Sequence, residues 1–459
     1  MRRTSPLVTK LLIPGITAAI CVTALTSQAS NWTGATGNWS SDGNPGWNGT
    51  GVPNAQGALA EYSGGSGATT DQNIALGVTV GSIQSIGAGN ASWNINISNS
   101  ITLDQDGGGS GSALIETTRT SAFGHRLNIN SGAGSLILAD NLIVRNTGNG
   151  TSSSGSIQLN ANITGTGNIT FDNASSNNAA LGQIYLNSSS TSDFTGNVLV
   201  RRGAVSFNDK DHFGNKATNV ITLGEASQGS VTLVSANTPG TVINNIVAAA
   251  STSGTSILGS ISSAASGNTT YSGTVLLNGD LSLTSSMTGT GYVSLSNTIS
   301  GAGSLTKTGA GVARLAGVNT YTGDTTVSAG TLLLVAGSEQ RFEIQDSNAS
   351  NQILGSGIIE FNGVLRLDIS GLTASSGTWN LIDVASLSET FGGSFGVAFL
   401  GGPTFTADGF GNYTSGDWTF AQSTGNLVLV PEPGTIGLLG LGGFLLMLRA
   451  RRRGKVFVS

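Results

Sequence analysis

Histidine, cysteine and acidic residues limit the chemistry available to this chain of 459 residues. His125 and His212 are its only histidines, and neither has a second histidine at the spacing that zinc ligands require. The single cysteine, Cys21, lies in an apolar stretch near the N-terminus. We therefore predict no zinc site and no cofactor.

The densest polar cluster is Asp209-Lys210-Asp211-His212, with Arg201 and Arg202 a few residues upstream. Carboxylates and an arginine gathered on one face of a β-structure could perform acid–base chemistry on a polysaccharide. The cluster directly follows a repeated segment, where a loop between strands is expected. We interpret it as a solvated loop and predict no catalytic residue.

The segment Asp104-Gln105-Asp106, followed by three glycines, is similar to the start of a calcium-binding loop. The third acidic or amide ligand is missing, and Ile115 stands where such a loop has its glutamate. One weak surface calcium site is the alternative to our prediction of no metal. The Gly-x-Gly segments lack the Lys-Ser/Thr of phosphate loops, and no Gly-x-Ser-x-Gly has usable partners.

Residues 1–29 have the order of parts of a secretory signal peptide. Basic residues at the start precede an apolar stretch at 11–25. Ser27 and Ala29 then supply the small residues of a cleavage site, so we predict cleavage between Ala29 and Ser30.

Residues 430–459 combine Val430-Pro431-Glu432-Pro433, fifteen uncharged residues at 434–448, and a basic cluster. A helix that spans a bilayer needs about 17–25 apolar residues, so this segment would insert only weakly. Its inserting side chains would be those of Gly434, Leu438, Leu441, Phe444 and Leu448. The basic stop that would stay on the cytoplasmic side is formed by Arg449, Arg451, Arg452 and Arg453.

This order of parts resembles the PEP-CTERM sorting signal of exported bacterial proteins. The resemblance implies that a separate exosortase-type protease cleaves near Val430, Pro431, Glu432 and Pro433. It also implies transient insertion in the inner membrane, followed by a place at the cell surface or in an extracellular matrix. A stop-transfer anchor that stays in the membrane is the alternative.

Removing both signals makes the remaining chain more acidic than the full chain, whose net charge is −5. Eight of the 19 Lys and Arg residues lie in the two ends, which leaves eleven against 23 acidic residues, a net charge of −12. Such a surface argues against nucleic acid as a partner. The remaining chain also has no cysteine, so its stability depends on packing and backbone pairing.

Internal repeats indicate an all-β fold. An aromatic residue, a small hydroxyl residue and glycine precede alternating apolar residues in FTGNVLVRRGAVSF, YSGTVLLNGDLSL and YTGDTTVSAGTLLL, which begin at Phe194, Tyr271 and Tyr321. The alternation is typical of strands with one buried face, and glycine permits sharp corners between them. Since these elements recur over hundreds of residues, we prefer a solenoid to a sandwich, with Asn, Ser and Thr stacked in ladders.

Residues 299–334 make this interpretation firmer. They resemble the autotransporter-associated β-strand repeat, with its G-x-L-x-K-x-G-x-G, N-x-Y-x-G-x-T and x-x-G-x-L segments in order. The resemblance implies a right-handed parallel β-helix, for which we expect coils of roughly 20–25 residues. We divide the chain into a signal peptide (1–29), a Trp-rich cap with first coils (30–100), the solenoid (101–340), a β-rich C-terminal cap (341–429) and the sorting signal (430–459).

The sequence thus favours an exported, non-enzymatic structural protein of the matrix or surface, with exopolysaccharide as a candidate partner. A surface adhesin that binds carbohydrate along the flank of the β-helix is the first alternative. A polysaccharide-degrading β-helix enzyme is less favoured because charged residues make up only 9% of the chain.

Overall fold

The computed structural model describes residues 29–430, apart from 33–36, 40–46, 50–51, 64–69, 87–91, 108–110, 119–125, 149–155, 175–183, 188–190, 215–217, 239, 251–253, 386 and 388–389. These residues form a parallel β-solenoid with two short 3-10 turns, Lys210–Phe213 and Asp346–Asn348, and no α-helix among them. Residues 1–28 of the predicted signal peptide (1–29) and the sorting segment after Val430 lie outside the described residues.

Two long parallel faces run along most of the solenoid. Face A consists of Ala29–Trp32, Leu59–Ser63, Ser82–Ile86, Ser112–Thr117, Asn141–Asn146, Ile169–Asn173, Val198–Phe207, Val220–Leu223, Asn245–Ala248, Val275–Leu277 and Ile299–Gly301. Face B consists of Gly37–Asn38, Thr70–Ile74, Val78–Val80, Trp93–Ile97, Ile101–Leu103, Arg126–Leu138, Ser156–Gly165, Ile184–Leu186, Asp193–Phe194, Val231–Ser235, Ser256–Ser260, Leu281–Ser285, Leu305–Thr308, Thr325–Val327, Ile353–Gly355 and Ile382–Val384. The long strand Val198–Phe207 pairs in both faces.

Two shorter parallel faces complete the later coils. Face C consists of Gly240–Val242, Asn268–Tyr271, Tyr292–Leu295, Val312–Leu315, Thr331–Leu334 and Ile358–Phe361. Face D consists of Val318–Asn319, Glu339–Glu343, Val364–Asp368 and Gly396–Phe399. An antiparallel terminal sheet follows, made of Gly377–Asn380, Thr406–Ala407, Asn412–Ser415, Trp418–Ala421 and Asn426–Leu429.

Alternating side chains build one continuous apolar core along the solenoid. In Ser112–Thr117, for example, every second residue is buried and the others are half-buried. Polar ladders form on the outside, as the sequence predicts. The side-chain amide of Asn96 donates to Asn73, that of Asn130 to Asn96 and that of Asn160 to Asn130, with N···O distances of 3.2, 3.0 and 2.8 Å.

Coil length varies more than the expected 20–25 residues. Val312 pairs with Thr331, which is 19 positions on, whereas Val364 pairs with Gly396, which is 32 positions on. Parallel pairing requires only that the strands stay in register, so the difference in coil length lies in the turns between strands. Parallel pairing also continues past residue 340, because Glu339–Glu343 pairs with Val364–Asp368 and that strand with Gly396–Phe399.

The residues of the repeated element have separate structural roles. Its aromatic residues, Phe194, Tyr271 and Tyr321, are fully buried in the core. The glycine two positions later is required for close approach, because a Cβ on Gly196 or Gly273 would lie about 2 Å from a carbonyl oxygen of the preceding coil.

A cluster of aromatic rings closes the N-terminal end. Trp32, Trp39 and Trp47 are buried, and neighbouring ring centroids in this group are 5.2 Å apart. Strand Trp47–Gly49 pairs antiparallel with Ala29–Trp32 and so occupies an edge that would otherwise be open. The three indoles are therefore core residues and are not available to stack against a sugar.

Candidate functional site

An axial series of ion pairs lies on the outer side of face A. Asp172 Oδ2 is 3.3 Å from Arg145 Nε on the preceding coil, and Arg202 Nε on the next coil donates to Asp172 Oδ1. The series extends to Glu116, 3.7 Å from Arg145, and through Arg201 to Glu225, 2.9 Å away. The Asp172 side chain is only 4% exposed, so its carboxylate is committed to the arginines.

Sequence reasoning missed Asp172 and assigned Arg201 and Arg202 to a different neighbourhood. The structure joins both arginines to Asp172 and to neighbouring coils, not to the cluster at 209–212. The signal in the sequence was the presence of charged residues at similar positions of successive coils, but variable coil length obscures it.

The cluster at 209–212 forms a capped 3-10 turn. Asp209 Oδ1 accepts a hydrogen bond from the backbone N–H of Asp211 at 3.1 Å, and Lys210 Nζ lies 2.6 Å from Asp211 Oδ2. His212 is buried, and burial lowers the pKa of its imidazole to about 4. The predicted solvated loop is therefore correct for Lys210 and wrong for His212, which packs inside beside Phe213.

Acidification is expected to destabilise the protein through His212. The folded chain binds a proton there only near pH 4, whereas the unfolded chain binds it near pH 6.5. The unfolded state thus takes up more protons as the pH falls between these values, which removes about 3 kcal/mol of stability. Urea denaturation of the wild type and His212→Gln at several pH values measures this, and equal pH slopes would contradict it.

The Asp104–Asp106 segment forms a hydrogen-bonded corner. Asp104 Oδ1 accepts from Gln56 Nε2 and from the backbone N–H of Gly107, at 3.0 and 2.7 Å. Asp140, which sequence reasoning did not single out, accepts from the backbone N–H of Gln105 at 2.6 Å. Burial and the neighbouring carboxylates of Asp140 and Asp106 raise the pKa of Asp104. No group of three acidic, histidine or cysteine residues arranged to hold a metal ion occurs within the described ranges.

Lys307 lies inside the solenoid with its ammonium group against backbone carbonyls. Its Nζ donates to the carbonyl oxygens of Thr308, Gly309 and Ala329 at 2.7, 2.8 and 3.0 Å. Burial lowers the pKa of Lys307 to about 8. The side chain thus supplies hydrogen bonds to carbonyls at a corner where the regular ladder ends.

Two shallow clefts mark the outer surface. The larger, of about 600 Å³, crosses four coils of face A, with Thr170, Leu199 and Thr222 in its floor and Glu225 at its rim. The smaller, of about 320 Å³, contains Asp324 and Glu343. Asp324 accepts the backbone N–H of Gln352 at 2.8 Å, and Glu343 pairs with Arg341 at 3.0 Å.

The predicted processing sites lie at the two limits of the described chain. The backbone of Ala29 and Ser30 opens strand Ala29–Trp32, which pairs with Leu59–Ser63, so cleavage between them leaves most of that strand in place. Val430 is 61% exposed, and its N–H donates to the carbonyl of Asp417 at 3.0 Å. Pro431, Glu432 and Pro433, the apolar segment and the arginines lie outside the described residues. Within the described residues, no helix is long and apolar enough to span a membrane.

Comparison with known families confirms both sequence resemblances. Residues 305–334 match the passenger-associated-transport-repeat, and residues 429–453 match the PEP-CTERM protein-sorting motif. No curated protein and no solved structure matches the chain. The sorting motif indicates an exported, surface-directed protein and implies processing by exosortase-type machinery.

The repeat match fits the observed geometry. Residues 305–334 begin at strand Leu305–Thr308 on face B and end at strand Thr331–Leu334 on face C, and they include the buried Lys307 and Tyr321. The motif match begins at Leu429, the last residue of the terminal sheet. The sorting motif therefore begins at the last strand of the described residues.

Proposed function

We propose that this protein is a non-enzymatic structural component of the bacterial surface or extracellular matrix, released from a transient membrane insertion by an exosortase-type protease. The supporting observation is that the sorting motif begins at the last residue of the terminal sheet and that Val430, the next residue, is exposed. A protease can reach a segment that follows an exposed residue without unfolding the solenoid. After cleavage, the acidic, cysteine-free body would associate with extracellular polysaccharide.

Replacing Pro431, Glu432 and Pro433 together by alanine is expected to abolish the processed form almost completely. The protease would lose its recognition segment, while the strands of the solenoid and terminal sheet, which do not include these residues, would still fold. Mass spectrometry of the C-terminus of protein exported by the native host measures the result, with Pro403→Ala as a matched control. Wild-type exported protein that still carries Arg449 to Lys455 would refute the proposal in favour of a permanent anchor.

The larger cleft favours an adhesin as the second candidate. Its floor of Thr170, Leu199 and Thr222 combines hydroxyl groups with an aliphatic side chain, a combination that suits the polar edge and apolar face of a sugar. A panel of neutral and acidic polysaccharides distinguishes the candidates. A purely structural role predicts no saturable binding to any one polymer, and an adhesin predicts binding that Leu199→Asp weakens. An enzyme would shorten the polymer.

A further inference from the structure

The outer side of face A carries a row of mostly aliphatic residues over six successive coils. The members are half-buried, point away from the core and lie directly above one another in the parallel ladder. In axial order, the six residues that we call the aliphatic row are Leu59, Ser82, Leu114, Ile143, Thr170 and Leu199; the same ladder continues past Leu199 to Thr222, Val247 and Leu276. Read in either direction, the aliphatic row gives the same sequence of aliphatic and small hydroxyl side chains.

A second row lies two positions further along the same strands, with a one-residue bulge before its last member. This polar row is, in axial order, Glu61, Gln84, Glu116, Arg145, Asp172 and Arg202. Its first half carries two glutamates, and its second half carries two arginines with Asp172 between them. When the row is reversed, each glutamate of the first half therefore faces an arginine of the second half.

We propose that two copies of this chain associate through these rows, with their solenoid axes antiparallel. A two-fold axis parallel to the strands, placed between the third and fourth coils of the rows, reverses the order of coils and keeps each row facing itself. Leu114 then faces Ile143 of the second copy at the centre. Two copies related this way place Leu59 against Leu199 and Ser82 against Thr170 of the second copy, so aliphatic side chains face aliphatic ones and hydroxyl side chains face hydroxyl ones.

The polar row determines both the orientation and the register. In the antiparallel arrangement Glu116 faces Arg145 of the second copy, and Glu61 faces Arg202 of the second copy. Parallel axes would instead set each coil against its own equivalent and move the polar rows to opposite sides of the aliphatic contact. Opposite charges that meet across an interface fix register and orientation more than they add affinity.

The size of the contact predicts a reversible dimer. Six coils spaced about 4.8 Å apart and strands of five residues that rise about 3.3 Å per residue give a contact face of about 500 Å² per copy. The total of about 1,000 Å² lies at the lower limit for a specific interface. We therefore expect monomer and dimer to exchange at micromolar concentrations.

Sedimentation velocity of the exported protein over a micromolar concentration series tests the proposal. The wild type is expected to show a concentration-dependent dimer. Glu61→Arg places like charges at both symmetric contacts with Arg202, and Arg202→Glu does the same with Glu61. Each variant should dimerise at least tenfold more weakly. In Arg202→Glu, Asp172 still has Arg145 and Arg201 beside it.

Mixing the two variants distinguishes the interface from a folding defect. In a mixed pair, arginine faces glutamate at both contacts, so the mixture should dimerise about as well as the wild type. A misfolded variant could not regain association in this way. The proposal is overturned if the wild type stays monomeric, if either variant dimerises like the wild type, or if the mixture stays monomeric. None of these outcomes depends on the processing of the C-terminus.

Discussion

Replacing Gly301 with alanine is expected to destabilise the solenoid by about 3–5 kcal/mol. Gly301 has φ of 109°, a conformation that L-residues rarely adopt, and it pairs with Leu277 on the preceding coil. A Cβ at this position would lie 2.2 Å from the Leu277 carbonyl oxygen, a backbone atom that cannot rotate away. Urea denaturation followed by circular dichroism measures the change.

Gly371→Ala is the matched control for Gly301→Ala. Gly371 is exposed, and a Cβ there would meet no atom within 4 Å. Its unfolding midpoint should stay close to that of the wild type. Equal midpoints for the two variants would show that the corner at Gly301 tolerates a side chain, and would contradict the role assigned to it.

Asp172→Asn is expected to cost about 2–4 kcal/mol, because it removes the buried negative charge that three arginines share. Arg145, Arg201 and Arg202 would then repel one another across adjacent coils. Their side chains are 28–36% exposed, so solvent screens part of this repulsion and the estimate lies below that for a fully buried pair. Added salt should recover part of the loss, and denaturation at low and high salt measures both effects.

Glu225→Gln provides the control for that cluster. Glu225 is 44% exposed and contacts Arg201 at the rim, so its neutral variant should lose no more than about 1 kcal/mol. A loss at Asp172 as small as that at Glu225 would mean that the ion series is not an important source of stability.

Much of the fold could be predicted from local patterns. Alternation such as Val198 and Val200 has the two-residue period of a strand with one buried side, and both residues are buried. The glycine corners were also predictable, since Gly165 and Gly301, each the first residue of a Gly-x-Gly segment, adopt φ of 107° and 109°. These features depend on neighbouring residues alone, so counting along the chain reveals them.

Contacts between coils were harder to predict from the sequence. Asp172 pairs with Arg145, 27 positions before it, and with Arg202, 30 positions after it. Other coils are as short as 19 residues, so no fixed period along the sequence aligns these charges. The burial of Lys307 was hidden for a different reason. A charged residue at an alternating position is predicted to be exposed unless the carbonyls that surround it are known.

The variation in coil length has a consequence for how such a protein changes over evolutionary time. A strand needs only to lie in register with the coils directly before and after it, so a whole coil is the natural unit of insertion or deletion. A gene that gains or loses one such unit changes the reach of the molecule in steps of about 4.8 Å. Length can therefore evolve while the aromatic closure at one end and the sorting segment at the other stay unchanged.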